Sequence, residues 1–184
     1  LAQPVDKLAE IIAWKRLEIA GRVRAVSDRE LAAAAAKAAP FGPGFRASLR
    51  QPGRLAIIAE VKRASPSAGA IRADIDAVAQ ARAYADAGAD CLSVLTDTKY
   101  FGGTLDDLRA VVADQAARPS PVPCIRKDFM VHRIQVLEAA EAGARCILLI
   151  VRALSDPEIR DLHDAARAAG LDALFEVHDE DELA

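Results

Sequence analysis

The chain has 184 residues, of which 52% are hydrophobic and 28% charged, with a net charge of −3 and an isoelectric point near 5.7. This length allows one well-packed domain, and the composition is typical of a soluble globular protein. The small negative charge argues against a surface for nucleic acid or an anionic membrane. No apolar run approaches the roughly 20 residues that a membrane span needs.

The three cysteines lie in or beside apolar runs, at Cys91, Cys124 and Cys146. None has a CxxC or Cys/His spacing suited to zinc, so we expect buried free thiols and no metal site. The N-terminus lacks the basic start, apolar run and cleavage site of a signal peptide. These features predict a cytoplasmic protein.

The first 50 residues differ from the rest of the chain. Apolar residues recur at helical spacing between positions 4 and 26, with charged residues between them, which predicts an amphipathic helix. Ser27, with Glu30 three residues later, predicts a capping-box start for a second, alanine-rich helix. Residues 1–50 are therefore predicted to form a helical N-terminal extension.

From residue 55 onward, apolar β-branched runs alternate with helical patterns of 10–15 residues. This alternation predicts an α/β fold with a parallel sheet covered by helices. Gly88, Gly143 and Gly170 stand where helix C-termini need a left-handed residue. Both an open doubly wound sheet and the first five units of an eightfold barrel fit the pattern. The predicted strands are residues 55–61, 91–95, 121–126, 145–151 and 172–177.

Charged residues recur at the carboxyl ends of these runs, where parallel α/β folds bind ligands. Glu60 and Lys62 share one face of the first strand by period-two alternation, Lys127 ends the third strand and Glu176 ends the fifth. A structural ion pair could explain one such residue, but charged side chains at several buried strand ends favour function. Lysines and carboxylates without a metal site suit proton transfer, or a Schiff base with a carbonyl substrate.

Two loops at the same end carry further candidate residues. Residues 63–69 combine hydroxyls, glycine and basic side chains, which suits a carboxylate or phosphate group. Residues 96–103 bring two aromatic rings and two glycines, although an ordinary surface loop explains either segment alone. The chain contains no GxGxxG or GxxxxGK[ST] motif, which argues against a dinucleotide or nucleoside triphosphate site.

The motifs EVKRASPS, LTDTKYFGG and RKDF, in this order and spacing, resemble the indole-3-glycerol phosphate synthase family over essentially all 184 residues. The resemblance implies a (βα)8 TIM barrel, of which this chain holds about the first five βα units in residues 51–184. Residues 1–50 are then the extension over the barrel mouth. The implied enzyme is a carbon–carbon lyase of tryptophan biosynthesis that needs no cofactor. It closes the ring of 1-(2-carboxyphenylamino)-1-deoxyribulose 5-phosphate, with loss of CO2 and water.

The resemblance also implies roles for individual residues. Lys127 matches the family's general acid, Glu176 the carboxylate that removes a proton in the dehydration, and Lys62 the lysine that holds the substrate's anionic groups. Glu60 matches the carboxylate that orients the lysines and the substrate nitrogen. The implied substrate-binding residues are Ser65 and Ser67 in the loop after the first strand, and Phe101 and Phe129 around the anthranilate ring.

Two departures from the family pattern qualify these expectations. Ala68 stands where many members have lysine, and strands six to eight, with the family's phosphate-binding loops, are not represented in the 184 residues. We therefore expect an incomplete site and self-association through two open sheet edges. The partner expected is a phosphorylated aromatic amine substrate, with no nucleic acid and no membrane. The alternatives are a catalytically incomplete structural unit, or another barrel enzyme such as a Schiff-base aldolase or sugar-phosphate isomerase.

Overall fold

The computed structural model describes residues 6–38, 42–66, 69–70 and 74–183. The strands are β1 (Ile58–Val61), β2 (Ala64–Ser65), β3 (Gly69–Ala70), β4 (Cys91–Leu95), β5 (Cys124–Lys127), β6 (Cys146–Ile150) and β7 (Asp172–Glu176). The helices are α1 (Lys7–Ile19), α2 (Asp28–Lys37), α3 (Phe45–Ser48), α4 (Ala77–Asp86), α5 (Thr98–Phe101), α6 (Leu105–Ala116), α7 (Arg133–Glu141) and α8 (Asp156–Ala168). Short 3-10 turns cover Ala20–Arg22, Val151–Ala153 and Asp181–Leu183.

The main sheet has five parallel strands in the order β1-β4-β5-β6-β7, so each strand pairs with the next one along the chain. A doubly wound sheet reverses its strand order near the middle, whereas a barrel adds strands in sequence. The observed order confirms the α/β fold and selects barrel-type winding from the two architectures. Strands β2 and β3 form a separate antiparallel pair in the connection from β1 to α4.

Two of the five strands begin three residues later than predicted, and the other strand bounds differ by at most one residue. The first begins at Ile58. Leu55 and Ile57 before it are exposed, and the Ile57 carbonyl accepts from the Cys91 N–H at 3.1 Å without extending the strand. The third begins at Cys124 and not at residue 121, because the prolines at 121 and 123 have no N–H to donate to a neighbouring strand. Both differences lie at strand starts, so the carboxyl ends remain where the sequence predicts them.

The core lies between the sheet and the helices that follow its strands. All five residues of both β4 and β6 are buried, as expected for strands covered on both faces. The thiols of Cys91, Cys124 and Cys146 are buried and free, as their positions in apolar runs predict. Burial raises the pKa of Cys91 and of Cys124 to about 12, so both stay protonated at neutral pH.

The described residues before position 50 lie at both ends of the sheet. Helix α1 lies near the carboxyl ends of the strands, and α2 packs against α7 and α8. Helix α3 lies at the amino ends, where the backbone N–H of Arg46 donates to Asp172 at 2.8 Å. The predicted 4–26 helix is shorter than expected: it ends at Ile19 and continues as a 3-10 turn, while residues 4 and 5 lie outside the described residues.

Local signals at the helix ends account for most boundaries. Ser27 caps α2 by accepting from the Glu30 N–H at 3.2 Å, whereas the Glu30 carboxylate pairs with Arg24. The predicted left-handed glycines are confirmed, with φ of 91° at Gly88 and 78° at Gly143. In the part of the chain that is described, no helix is both long and apolar enough to cross a membrane.

Candidate active site

The concave face of the sheet carries the inward-pointing residues of all five strands. The ladder sets Glu60 of β1 level with Ser93 of β4 and Ile125 of β5. Lys127 lies one inward step further along β5, opposite Leu95. Together with residues of β6 and β7 they line one cavity. Its lining is Ile58, Glu60, Ser93, Ile125, Lys127, Leu148, Leu174, Phe175, Glu176 and Val177.

Glu60 is the centre of the charged cluster on this face. Its carboxylate lies 2.8 Å from Lys62 Nζ and 3.5 Å from Lys127 Nζ, and it accepts a hydrogen bond from Ser93 Oγ at 3.2 Å. Burial raises the pKa of Glu60, but the bond from Lys62, the charge of Lys127 and the Ser93 hydroxyl outweigh it and hold that pKa below its ordinary value. The carboxylate is therefore ionised at neutral pH and holds two ammonium groups together.

Two of the four predicted catalytic residues, Lys62 and Lys127, thus contact a third, Glu60, and the fourth lies across the cavity. Glu176, at the end of β7, lines the same two cavities as Lys127. Its Oε1 lies 3.4 Å from Nε2 of His178. The backbone N–H of His178 in turn donates to Glu182 at 2.9 Å. The open space between Lys127 and Glu176 can hold a substrate with an acid on one side and a carboxylate on the other.

Phe101 and Phe129 form an aromatic wall beside this space. Their ring centroids are 6.0 Å apart with a 40° tilt, and both residues line the second cavity with Lys127 and Glu176. Phe101 ends α5, and the next segment passes so close to β4 that a Cβ on Gly103 would lie 2.0 Å from the Leu95 carbonyl oxygen. The backbone there requires glycine, which fixes the loop that carries Phe101.

The loop after β1 is only partly described. Ser65 belongs to β2, whereas Ser67 and Ala68 lie outside the described residues. The Arg63 guanidinium is engaged by Asp107, at 2.6 and 2.8 Å. The basic residue that the sequence offered for an anionic group is therefore already paired.

Sequence reasoning missed two contributors to the site. Ser93 is the one hydroxyl in the buried CLSVL run, and its inward position could have been read from strand alternation. Lys15 stands four residues from both Ile11 and Ile19, so helical spacing puts it on the apolar face of α1, but nothing in the sequence names a partner for it. It is 1% exposed and pairs with Asp97, two residues after β4, and with Asp128, directly after β5.

The chain is similar to a family of known proteins. The family model described as indole-3-glycerol phosphate synthase matches residues 8–184. An indole-3-glycerol phosphate synthase of Opitutus terrae is 59% identical over 180 residues, which are 97% of this chain and 67% of that protein. Proteins of the same name from Rhizorhabdus wittichii and Koribacter versatilis are 49% and 44% identical, over 97% and 96% of this chain and 66% of each relative. The chain spans about two thirds of the length of these relatives.

Proposed function

The chain belongs to the indole-3-glycerol phosphate synthase family, and we propose that it forms the part of a synthase barrel that carries the acid–base residues. The reaction closes the indole ring of 1-(2-carboxyphenylamino)-1-deoxyribulose 5-phosphate and releases CO2 and water. The observation that carries the proposal is the group of Lys62 and Lys127 around the Glu60 carboxylate, facing Glu176 across one cavity. A barrel places its catalytic residues at these strand ends.

Lys127 is the general acid in this proposal. It protonates the substrate's ketone oxygen as the aromatic carbon that bears the carboxylate attacks the carbonyl carbon, and CO2 then leaves from that carbon. The geometry supports this role because Lys127 Nζ faces the cavity beside the Phe101–Phe129 ring pair. An aromatic amine held against those rings brings its carbonyl group to the lysine. Proton transfer by a positioned side chain contributes on the order of 10²–10⁴-fold to a rate.

Glu60 and Lys62 bind and orient the substrate before the reaction. Glu60 holds the two lysines and is within reach of the substrate nitrogen, and Lys62 attracts the substrate's anionic groups. In the dehydration, Glu176 removes a proton from the CH2 carbon next to the substrate nitrogen, and Lys62 donates the proton with which the hydroxyl on the neighbouring carbon leaves as water. Its side chain is 37% exposed and paired with His178, so it remains accessible to a bound substrate.

We propose for residues 1–50 that their first helix covers the mouth of the barrel, which residues 51–184 begin to form. The contacts of Lys15 with Asp97 and Asp128 support this arrangement. In the complete barrel of the family, phosphate is held by the loops after the seventh and eighth barrel strands. Strand β7 of this chain is the fifth strand of that barrel. We therefore expect the 184 residues alone to give no detectable synthase activity.

The test compares two polypeptides by the fluorescence of indole-3-glycerol phosphate. One is the 184-residue chain, and the other is an extended form in which the C-terminal third of the Opitutus terrae relative follows residue 184. We expect product from the extended form and none from the 184 residues. A folded extended form that makes no product would contradict the proposal.

Borohydride trapping separates this chemistry from a Schiff-base mechanism. A lysine that only donates a proton leaves no reducible adduct, so the substrate and borohydride should leave the mass of Lys127 unchanged. A covalent adduct on Lys127 would overturn its role as general acid.

A further inference from the structure

Lys15 is a buried cation on the inward face of α1. Ile11, Ile12 and Ile19 bury the same face of the helix, and Lys15 itself is 1% exposed. Charged side chains are almost never fully buried unless they are paired. The ammonium group has three carboxylate neighbours: Glu18 at 2.7 Å, Asp97 at 2.8 Å and Asp128 at 3.0 Å.

Asp128 links this cation to the catalytic candidates, because it directly follows Lys127 at the end of β5. Its Oδ1 contacts Lys15 and accepts from the Phe129 N–H at 2.8 Å. Its Oδ2 accepts from the Thr96 hydroxyl at 2.6 Å and from Arg126 at 3.0 Å. Both oxygens are therefore fully used, and the backbone on either side of Lys127 is fixed.

Asp97 ties the same cation to the neighbouring strand. It comes two residues after the end of β4, and its Oδ1 accepts from the Tyr100 N–H at 2.7 Å, which starts α5. Its other oxygen faces Lys15. One ammonium group thus joins helix α1 to the carboxyl ends of two adjacent strands.

The two buried carboxylates Asp97 and Asp128 are matched by two buried cations only when Lys15 is present. Lys15 pairs with both carboxylates and Arg126 pairs with Asp128, while Glu18 and Glu138 pair with these cations from outside. Burial lowers the pKa of Lys15, but its carboxylate partners outweigh this and raise that pKa above its ordinary value. Without Lys15, Asp97 would lose its ammonium partner, and Asp128 would keep Arg126 but lose the cation at its Oδ1.

We infer that Lys15 is a positioning residue for Lys127. It acts through Asp128, whose Oδ1 pairs with Lys15 while its Oδ2 pairs with Arg126. The N-terminal helix thereby contributes to proton transfer without touching the substrate. This inference rests on the proposed function for its catalytic consequence. Its structural core, the dependence of Lys127 on Lys15, stands independently of turnover.

The experiment compares Lys15→Met, which keeps the side-chain volume and removes the charge, with Lys7→Met as a matched control. Lys7 is an exposed lysine of the same helix that pairs with Glu10. In the extended form, we expect Lys15→Met to lower kcat at least tenfold with KM changed less than threefold, and Lys7→Met to change neither. If the substitution only weakened packing, it would lower kcat by lowering the fraction of folded enzyme. Dividing the rate by the measured folded fraction removes that effect.

A second readout does not depend on activity. The rate at which acetic anhydride modifies the Lys127 amine is measured by mass spectrometry on the folded 184-residue chain and on the extended form. We expect Lys15→Met to raise this rate at least threefold, because Lys127 leaves the Glu60 carboxylate, and Lys7→Met to leave it unchanged. If the wild-type extended form is inactive, the proposed function fails while the labelling still decides the role of Lys15.

Two further variants keep the inference testable if Lys15→Met does not fold. Lys15→Met with Asp97→Asn removes the buried carboxylate that would otherwise be left without its ammonium partner. This double variant should fold, with Lys127 labelled at the raised rate. Lys15→Ala leaves a space for n-propylammonium, which should lower the labelling rate again, whereas tetramethylammonium at equal ionic strength should not. Wild-type labelling and wild-type kcat in a folded variant that lacks Lys15 would overturn the inference.

Discussion

At the scale of single residues, the end of β5 separates catalysis from support by strand alternation. Lys127 points into the concave cavity, and its neighbour Arg126 points to the opposite face, where it donates to the Gln135 carbonyl at 2.8 Å and pairs with Glu138 at 3.0 Å. Asp128 then turns back to both Arg126 and Lys15. Adjacent charged residues of one short motif thus have different tasks because successive side chains of a strand face opposite sides.

The support provided by Asp128 predicts a pH-dependent stability. Burial raises the pKa of Asp128, but Arg126, Lys15 and Thr96 outweigh it and hold that pKa below the ordinary value. A carboxyl whose folded pKa is depressed stabilises the fold fully above its unfolded pKa of about 3.9, and this contribution is lost as pH falls through the folded value. Asp128→Asn should therefore cost about 3–5 kcal/mol at pH 7, and this difference should shrink below about pH 4.

Urea unfolding at several pH values measures this difference, with Asp106→Asn as control. The Asp106 side chain is 87% exposed and pairs only with Arg109 on the surface, so its loss should stay within about 0.5 kcal/mol. If the difference in unfolding free energy between the wild type and Asp128→Asn were the same at pH 3 as at pH 7, the ionised Asp128 carboxylate would not be the source of the stabilisation.

The residues that sequence reasoning could find are those whose signal is local. Glu60 and Lys62 were predicted to share one face from their spacing, and the structure brings them to 2.8 Å. The role of Lys15 could not be found in this way. Its spacing from Ile11 and Ile19 puts it on the apolar face of α1, but its partners Asp97 and Asp128 are more than 80 positions away in the sequence. Only the docking of α1 brings these charges together.

At the scale of elements, a helix boundary that is set by a capping side chain can be predicted from the sequence. A boundary that is set by packing cannot. Ser155 and Glu158 begin α8 with their own side chains, the Ser155 N–H donating to Glu158 at 2.8 Å. Thr104 and Asp107 begin α6 in the same way, as a capping box. The 3-10 end of the first helix follows no cap signal and leaves Val23 half-exposed.

The loop between β4 and α6 offers a test at this scale. Gly103→Ala would place a methyl group inside the contact distance of the Leu95 carbonyl oxygen, so the loop that carries Phe101 must shift. We expect a cost of about 1–3 kcal/mol in unfolding free energy, together with a higher KM for substrate in the extended form.

Gly21→Ala is the matched control for this glycine. No heavy atom lies within 4 Å of its ideal Cβ position, and it belongs to the 3-10 turn after α1. It should be neutral or stabilising by up to about 1 kcal/mol. Equal unfolding free energies for the two variants would show that the close approach at Gly103 does not constrain the loop.

At the scale of the whole molecule, the consecutive strand order could not be read from periodicity, because the same alternation of strands and helices fits both windings. In the described residues, β1 and β7 each have a strand neighbour on one side only. Apolar side chains accompany both edges, with Ile57 56% exposed at β1 and Val177 37% exposed at β7. Such edges favour pairing with another chain.

We therefore expect the 184-residue chain to associate with itself in a concentration-dependent way in sedimentation experiments. Val177→Lys places a charge at the β7 edge and should weaken this association about tenfold, which corresponds to about 1.4 kcal/mol. Leu17→Lys removes an equally apolar side chain, 70% exposed on α1, away from both edges, and should leave the association unchanged. If the 184-residue chain were a monomer at all concentrations, the prediction of association through the β1 and β7 edges would be wrong.

The most direct measurement is single-turnover formation of indole-3-glycerol phosphate by the extended form carrying Lys127→Met. Lys127 faces the cavity and is partly exposed, so the variant should fold with nearly unchanged melting temperature, while the rate falls on the order of 10²–10⁴-fold. Lys99→Met, a lysine that lies over the Trp14 ring outside the cavity, should turn over at the normal rate. Formation of indole-3-glycerol phosphate at the wild-type rate by a folded Lys127→Met variant would contradict the account.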